Sequence, residues 1–199
     1  MSEQTTAEQP TAEQLVPTPG QTVGPFYGYA LPYPGGQDLV DRSHPQALRL
    51  HGTVHDGAGT PVPDALLEIW QADADGRISR EPGSLLRDGY TFTGFGRQAV
   101  DRDGAYSFTT LAPGPTEQGG APFIALTVFA RGLLNRLFTR IYLPDDPQLL
   151  EGDPLLRSVP PERRETLIAQ RQPDGSLRFD IRLQGEGETV FLRYPQHAA

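Results

Sequence analysis

The sequence predicts an all-β fold: a β-sandwich core with an extended N-terminal arm and one short helix near residues 160–171. Three observations carry this. Gly and Pro are dense, at 22 and 20 of 199 residues, which favours short strands and turns over long helices. Several segments alternate apolar and polar residues, as in Leu48-Arg49-Leu50-His51, the period of a strand with one buried face. Turn sequences stand between these segments, among them Asp56-Gly57-Ala58-Gly59, Asp101-Arg102-Asp103-Gly104 and Asp174-Gly175, where Asp and Gly supply the backbone geometry that a reversal needs.

The elements follow in order. Residues 1–16 are rich in Glu, Gln, Thr and Ala and read as a mobile polar tail. Residues 17–199 read as a single domain. Its first stretch, 17–34, is dense in Pro, Gly and aromatic residues. It cannot form a regular helix, yet its rings need cover, so it reads as an ordered arm lying on another surface. Strands are expected from Leu48 to His55, where Leu48, Leu50 and Val54 alternate with Arg49, His51, Thr53 and His55, and at 66–70, 105–110, 123–130, 137–143 and 177–183. In Leu67-Glu68-Ile69-Trp70-Gln71 the indole of Trp70 is expected in the core. Pro160-Pro161-Glu162 suits the first turn of a helix. Asp73-Ala74-Asp75-Gly76 reads as a turn, since the later glutamate of a calcium loop is missing.

Charge and composition narrow the function. A formal charge of −8 argues against nucleic acid and anionic membrane partners, which are held by Lys and Arg patches. An anionic substrate would need a local Arg. With no Cys, disulfides and thiolate chemistry are excluded. No segment approaches the roughly 20 apolar residues of a membrane span. The N-terminus lacks a basic start followed by an apolar run, so a cytoplasmic location is expected.

Four stretches share a pattern: Thr18-Pro19-Gly20-Gln21-Thr22-Val23-Gly24-Pro25-Phe26, Leu67-Glu68-Ile69-Trp70-Gln71-Ala72-Asp73, Pro122-Phe123-Ile124-Ala125-Leu126-Thr127-Val128-Phe129-Ala130-Arg131, and Gln184-Gly185-Glu186-Gly187-Glu188-Thr189. On these the chain resembles the intradiol ring-cleaving dioxygenases, and within them the alpha chains of the two-chain members. The resemblance implies a β-sandwich and cleavage of a catechol by O2 at ferric iron. Ferric iron is a hard cation that suits two tyrosinates and two imidazoles. Matched residue by residue, those four places hold Ser84, Thr116, Phe123 and Ala125, and the assisting arginine falls in Gly119-Gly120-Ala121. The resemblance therefore implies no metal ligand and no catalytic residue in this chain alone. Iron, as Fe(3+), would be bound by a homologous beta chain, and this chain would line that chain's pocket for a small aromatic substrate and O2. The pocket residues carried over are Thr22, Gly24, Pro25, Phe26 and Arg131.

The residues themselves agree with this assignment. The chain has four His. His51 and His55 share a strand face, but four residues at about 3.3 Å each set them about 13 Å apart, too far for one metal. Both are expected to be solvated, with His44 in a loop and His197 in a tail. Arg131 precedes a Gly at a strand end, where a side chain can reach out of the sheet, and Arg holds a carboxylate through paired charge-assisted hydrogen bonds. The alternative is a binding or structural module derived from the same family that has left catalysis.

Overall fold

The alternating segments form two sheets in the computed structural model, which describes residues 27–81, 88 and 90–194. The first sheet joins β1 (Leu48–His55), β4 (Ala105–Thr110), β7 (Gln170–Arg171) and β8 (Leu177–Arg178) in the order β4-β1-β8-β7, and β9 (Ile181–Arg182) also pairs with β1. The second has the order β3-β2-β5-β6, from β2 (Leu66–Gln71), β3 (Phe95–Ala99), β5 (Phe123–Phe129) and β6 (Leu137–Tyr142). β1 and β4 are antiparallel, whereas β8 and β9 run parallel to β1.

The core lies between the sheets. Leu50, Val54, Phe108, Leu177 and Ile181 meet Leu67, Ile69, Ile124, Leu126, Val128 and Ile141 in one buried cluster. Burying an aliphatic side chain contributes about 1.5–3 kcal/mol, so this layer dominates stability. β1 and β5 alternate strictly, as period two requires. Gly52 is obligatory within β1, since a Cβ there would stand 2.0 Å from the Phe179 carbonyl oxygen. That carbonyl also accepts the Tyr106 hydroxyl at 2.5 Å.

Two expectations are corrected here. Trp70 is not in the core but 54% exposed. Ile69 pairs with Leu126 and Gly96 and takes the inward place, so its neighbour must point outward. Gln71 takes the next inward place, buried and satisfied: its amide donates to the Leu111 carbonyl and its oxygen accepts from Thr110. The N-terminal stretch does contain helix, since Tyr27–Ala30 forms a single turn, α1. Of its rings Tyr27 is buried, whereas Tyr29 is exposed.

The helical part differs from the expectation in kind and number. Pro161–Leu167 is a 3-10 helix, and α2 (Pro147–Gly152) and α3 (Pro154–Ser158) precede it. Each opens on Asp-Pro, with Asp146 or Asp153 accepting two backbone N–H groups as N-cap. This is the pairing of cap and first-turn residue that starts a helix. Leu156, Val159 and Leu167 from this region bury Tyr142 and Ala121 in a second, smaller cluster. The expected strand at 177–183 is two short strands, β8 and β9, and β3 and β7 are additional. Among the described residues no helix is long and apolar enough to cross a membrane. The expected tail at 1–16 lies outside the described residues.

Candidate functional site

The outer face of the second sheet presents aromatic and charged side chains in register. Cross-strand register places Phe95, Trp70, Ala125 and Arg140 in one row and Arg97, Glu68, Thr127 and Phe138 in the next. Trp70 meets Phe95 edge-on at 6.4 Å. Arg97 pairs with Glu68 at 2.6 Å and donates to the Leu31 carbonyl at 3.0 Å, fixing the N-terminal stretch across the sheet edge.

At one end of β5 lies a cavity of about 180 Å3, lined by Thr116, Phe123, Arg140 and Asp153 among others. Two loops set Thr116 in place. Gly114 N–H donates to the Asp73 carbonyl at 2.7 Å, and Gly76, at φ 80°, packs so closely that a Cβ would stand 2.1 Å from the Pro115 carbonyl oxygen. The Arg140 guanidinium lies 3.8 Å from the Phe123 ring centroid, a cation–π contact. It donates to the Tyr142 hydroxyl at 3.2 Å, which donates to Asp153 at 2.9 Å. Burial pushes the Tyr142 hydroxyl up to about 12, with Arg140 opposing the shift and Asp153 adding to it. Asp153 also accepts from the N–H groups of Leu155, Leu156 and Ala121. The cavity presents a guanidinium, a phenyl ring, a hydroxyl and two carboxylates, not the pair of tyrosinates and pair of imidazoles that suit ferric iron. Among the described residues no group of three or more His, Cys, Asp and Glu could hold a metal.

At the other end of β5, Arg131 pairs with Asp64 at 3.0 Å, its side chain 69% exposed. The Tyr27 hydroxyl donates to the Asp64 carbonyl at 2.9 Å, and its ring lies 6.3 Å from that of Phe129. Burial, then the Asp64 charge, raises the Tyr27 hydroxyl above its ordinary value. Asp64 thus gathers Arg131 and the first described residue of the arm. Thr22, Gly24, Pro25, Phe26 and Ser84 lie outside the described residues.

The structure groups Thr116 and Phe123 at one cavity, puts Ala125 two residues along the same strand face, and sets Arg131 apart. Phe123 and Phe129 are six residues distant, about 20 Å along a strand. The histidines belong elsewhere: β1 carries His51 and His55 in the first sheet, half-buried rather than solvated. His51 Nε2 stands 3.1 Å from the Ser176 hydroxyl, and burial, foremost, lowers its pKa from the ordinary histidine value. His44 is exposed in a turn, and His197 lies outside the described residues. Sequence reasoning missed Arg140, Tyr142 and Asp153. The alternation of β6 signalled an outward Arg140, and Asp153-Pro154 signalled a helix cap.

Comparison with known proteins supports this fold. A family model described as "Dioxygenase" matches residues 24–185. The chain is 40% identical to the protocatechuate 3,4-dioxygenase alpha chain of Burkholderia cepacia, over 89% of this chain and 98% of that one. It is 34% identical to the beta chain of the same enzyme and organism, over 85% and 80%. The solved dioxygenase domain of a dioxygenase carbohydrate-binding protein fusion from Streptomyces sp. SirexAA-E superposes with a TM-score of 0.57 at 28% identity, covering 85% of this chain and 99% of that one. From near the end of its arm to its C-terminal loop, then, this chain belongs to the intradiol ring-cleavage dioxygenase family.

Proposed function

We propose that this chain is the alpha subunit of a ferric intradiol enzyme that cleaves 3,4-dihydroxybenzoate with O2 to 3-carboxy-cis,cis-muconate. It binds no iron itself and lines the substrate pocket of a homologous, iron-bearing beta chain. The observation that carries this is the pairing of alpha-chain similarity over almost the whole length with phenyl, methyl and hydroxyl side chains at Phe123, Ala125 and Thr116. None of these binds ferric iron as tyrosinate and imidazole do.

The contribution of this chain is then binding and orientation. Arg131 is exposed and held by a single carboxylate, so its guanidinium can offer a second edge to the carboxylate of an incoming substrate. Asp64 fixes its direction. The arm residues Thr22, Gly24, Pro25 and Phe26 would complete the wall, and Tyr27 ties the arm to the same corner. Separation of Arg131 from the Phe123 cavity by the length of β5 favours a role in a neighbouring chain's pocket over one in its own.

Expression of the chain alone and together with a candidate beta chain tests this. Bound iron and O2 consumption with 3,4-dihydroxybenzoate should appear only in the co-expressed complex. Iron and turnover in the chain alone would overturn the assignment.

A further inference from the structure

We propose that the cavity beside Arg140 is a binding site for a small monocarboxylate with a short apolar body. The argument starts from an unmet donor. Arg140 Nε is shielded from solvent and, among the described residues, has no hydrogen-bond partner. A buried donor left unmade costs about 1–3 kcal/mol, and more where the group is charged. The side chain cannot simply turn away. Its guanidinium is pinned against the Phe123 ring at 3.8 Å and through Nη1 to the Tyr142 hydroxyl at 3.2 Å.

The nearest buried carboxylate does not meet that need. Asp153 is 4% exposed and already accepts from Tyr142, Leu155, Leu156 and Ala121 at 2.9, 3.0, 3.0 and 3.4 Å. Among the described residues Arg140 makes no ion pair. A carboxylate placed in the cavity would supply an anionic acceptor for Nε, and charge-assisted bonds of this kind are the strong ones.

The lining sets the rest of the ligand. Phe123, Ala121, Pro154 and Leu155 give an apolar wall, Thr116 a hydroxyl, and Glu117 and Asp153 two negative charges. Glu117 is exposed and screened by water, and Asp153 is matched by four donors, so neither cancels Arg140 locally, yet together they disfavour a dianion such as phosphate. A cavity of about 180 Å3 holds a single six-membered ring or a chain of a few carbons. The site is distinct from the pocket proposed for the partner chain, and the inference does not depend on that proposal.

Equilibrium dialysis with labelled benzoate tests it on the full chain, together with whatever partner it assembles with. Wild type is compared with Arg140→Met and Gly120→Leu. Gly120 has an ordinary backbone, and a Cβ there would meet only Glu117, no nearer than 3.4 Å. Gly120 lines the cavity, so Gly120→Leu adds bulk at its wall while leaving Arg140, Phe123 and Tyr142 unchanged. The pocket proposed for the partner chain would also take a benzoate, so only the benzoate that Arg131→Ala leaves in place is counted. One per chain should bind in wild type, and that binding should weaken about tenfold or more in each cavity variant. Benzoate bound equally by wild type and Gly120→Leu, or no such benzoate in wild type, would overturn the site. Should Arg140→Met fail to fold, Gly120→Leu decides alone. Iron content and turnover are read in parallel, so a failed alpha–beta assembly is distinguished from a failed cavity.

Discussion

Two arginines, Arg131 just beyond the end of β5 and Arg140 on the neighbouring β6, show how one charge type does different work in different surroundings. Arg131 is exposed and paired once, a state from which it can still take a ligand. In the assembled enzyme, Arg131→Ala should raise KM for 3,4-dihydroxybenzoate about tenfold or more, the worth of a charge-assisted bond, with the iron colour intact. An unchanged KM would remove Arg131 from the pocket. Tyr142 bridges the guanidinium and Asp153, and its hydroxyl is pushed up to about 12 by burial. The folded state holds that proton more tightly than the unfolded chain, whose tyrosine titrates near 10.0. Its contribution is therefore complete below about pH 10 and is lost as pH rises through about 12. Urea unfolding across that window should show stability falling less steeply in Tyr142→Phe than in wild type. Some decline persists in the variant, because burial raises the Tyr106 hydroxyl as well.

At the scale of elements, β1 and β4 were legible because each alternates and is followed by a Gly or Pro turn, and β5 because it is rich in β-branched and aromatic residues. β2 was legible in extent but not in orientation. Leu66, Leu67, Ile69 and Trp70 are all apolar, and such a run does not say which alternate set faces in. The register with Leu126 and Gly96 decided it. β3 was hidden because Phe95-Gly96-Arg97-Gln98-Ala99 lacks β-branched residues and is ordered by its neighbours. α2 and α3 are too short to show a helical period, yet Asp146-Pro147 and Asp153-Pro154 mark their starts. Within the candidate site, the motif positions Thr116, Phe123 and Ala125 were readable from sequence. The Arg140–Tyr142–Asp153 chain was not, since it joins β6 to a helix cap through space. Asp153→Ala removes a cap and leaves the Ala121 N–H and the Tyr142 O–H without their acceptor. It should cost about 2–4 kcal/mol in urea unfolding, against a much smaller loss for Asp146→Ala, whose cap is exposed.

At the scale of the whole molecule, the two sheets are unequal. One carries half-buried His51 and His55, whereas the other presents Trp70, Phe95, Phe123 and Arg140 on its outer face. Trp70 is the single tryptophan, so fluorescence reports on that face directly. Acrylamide should quench it several-fold more strongly than a core indole, and protection from quenching in the unassembled chain would contradict the exposed placement. The guanidinium stacked on Phe123 also bears on how this face answers to change. Arg140 is held by a ring and a hydroxyl and by no carboxylate among the described residues, so a single substitution at Phe123 or Tyr142 would release a permanent cation onto the outer sheet face.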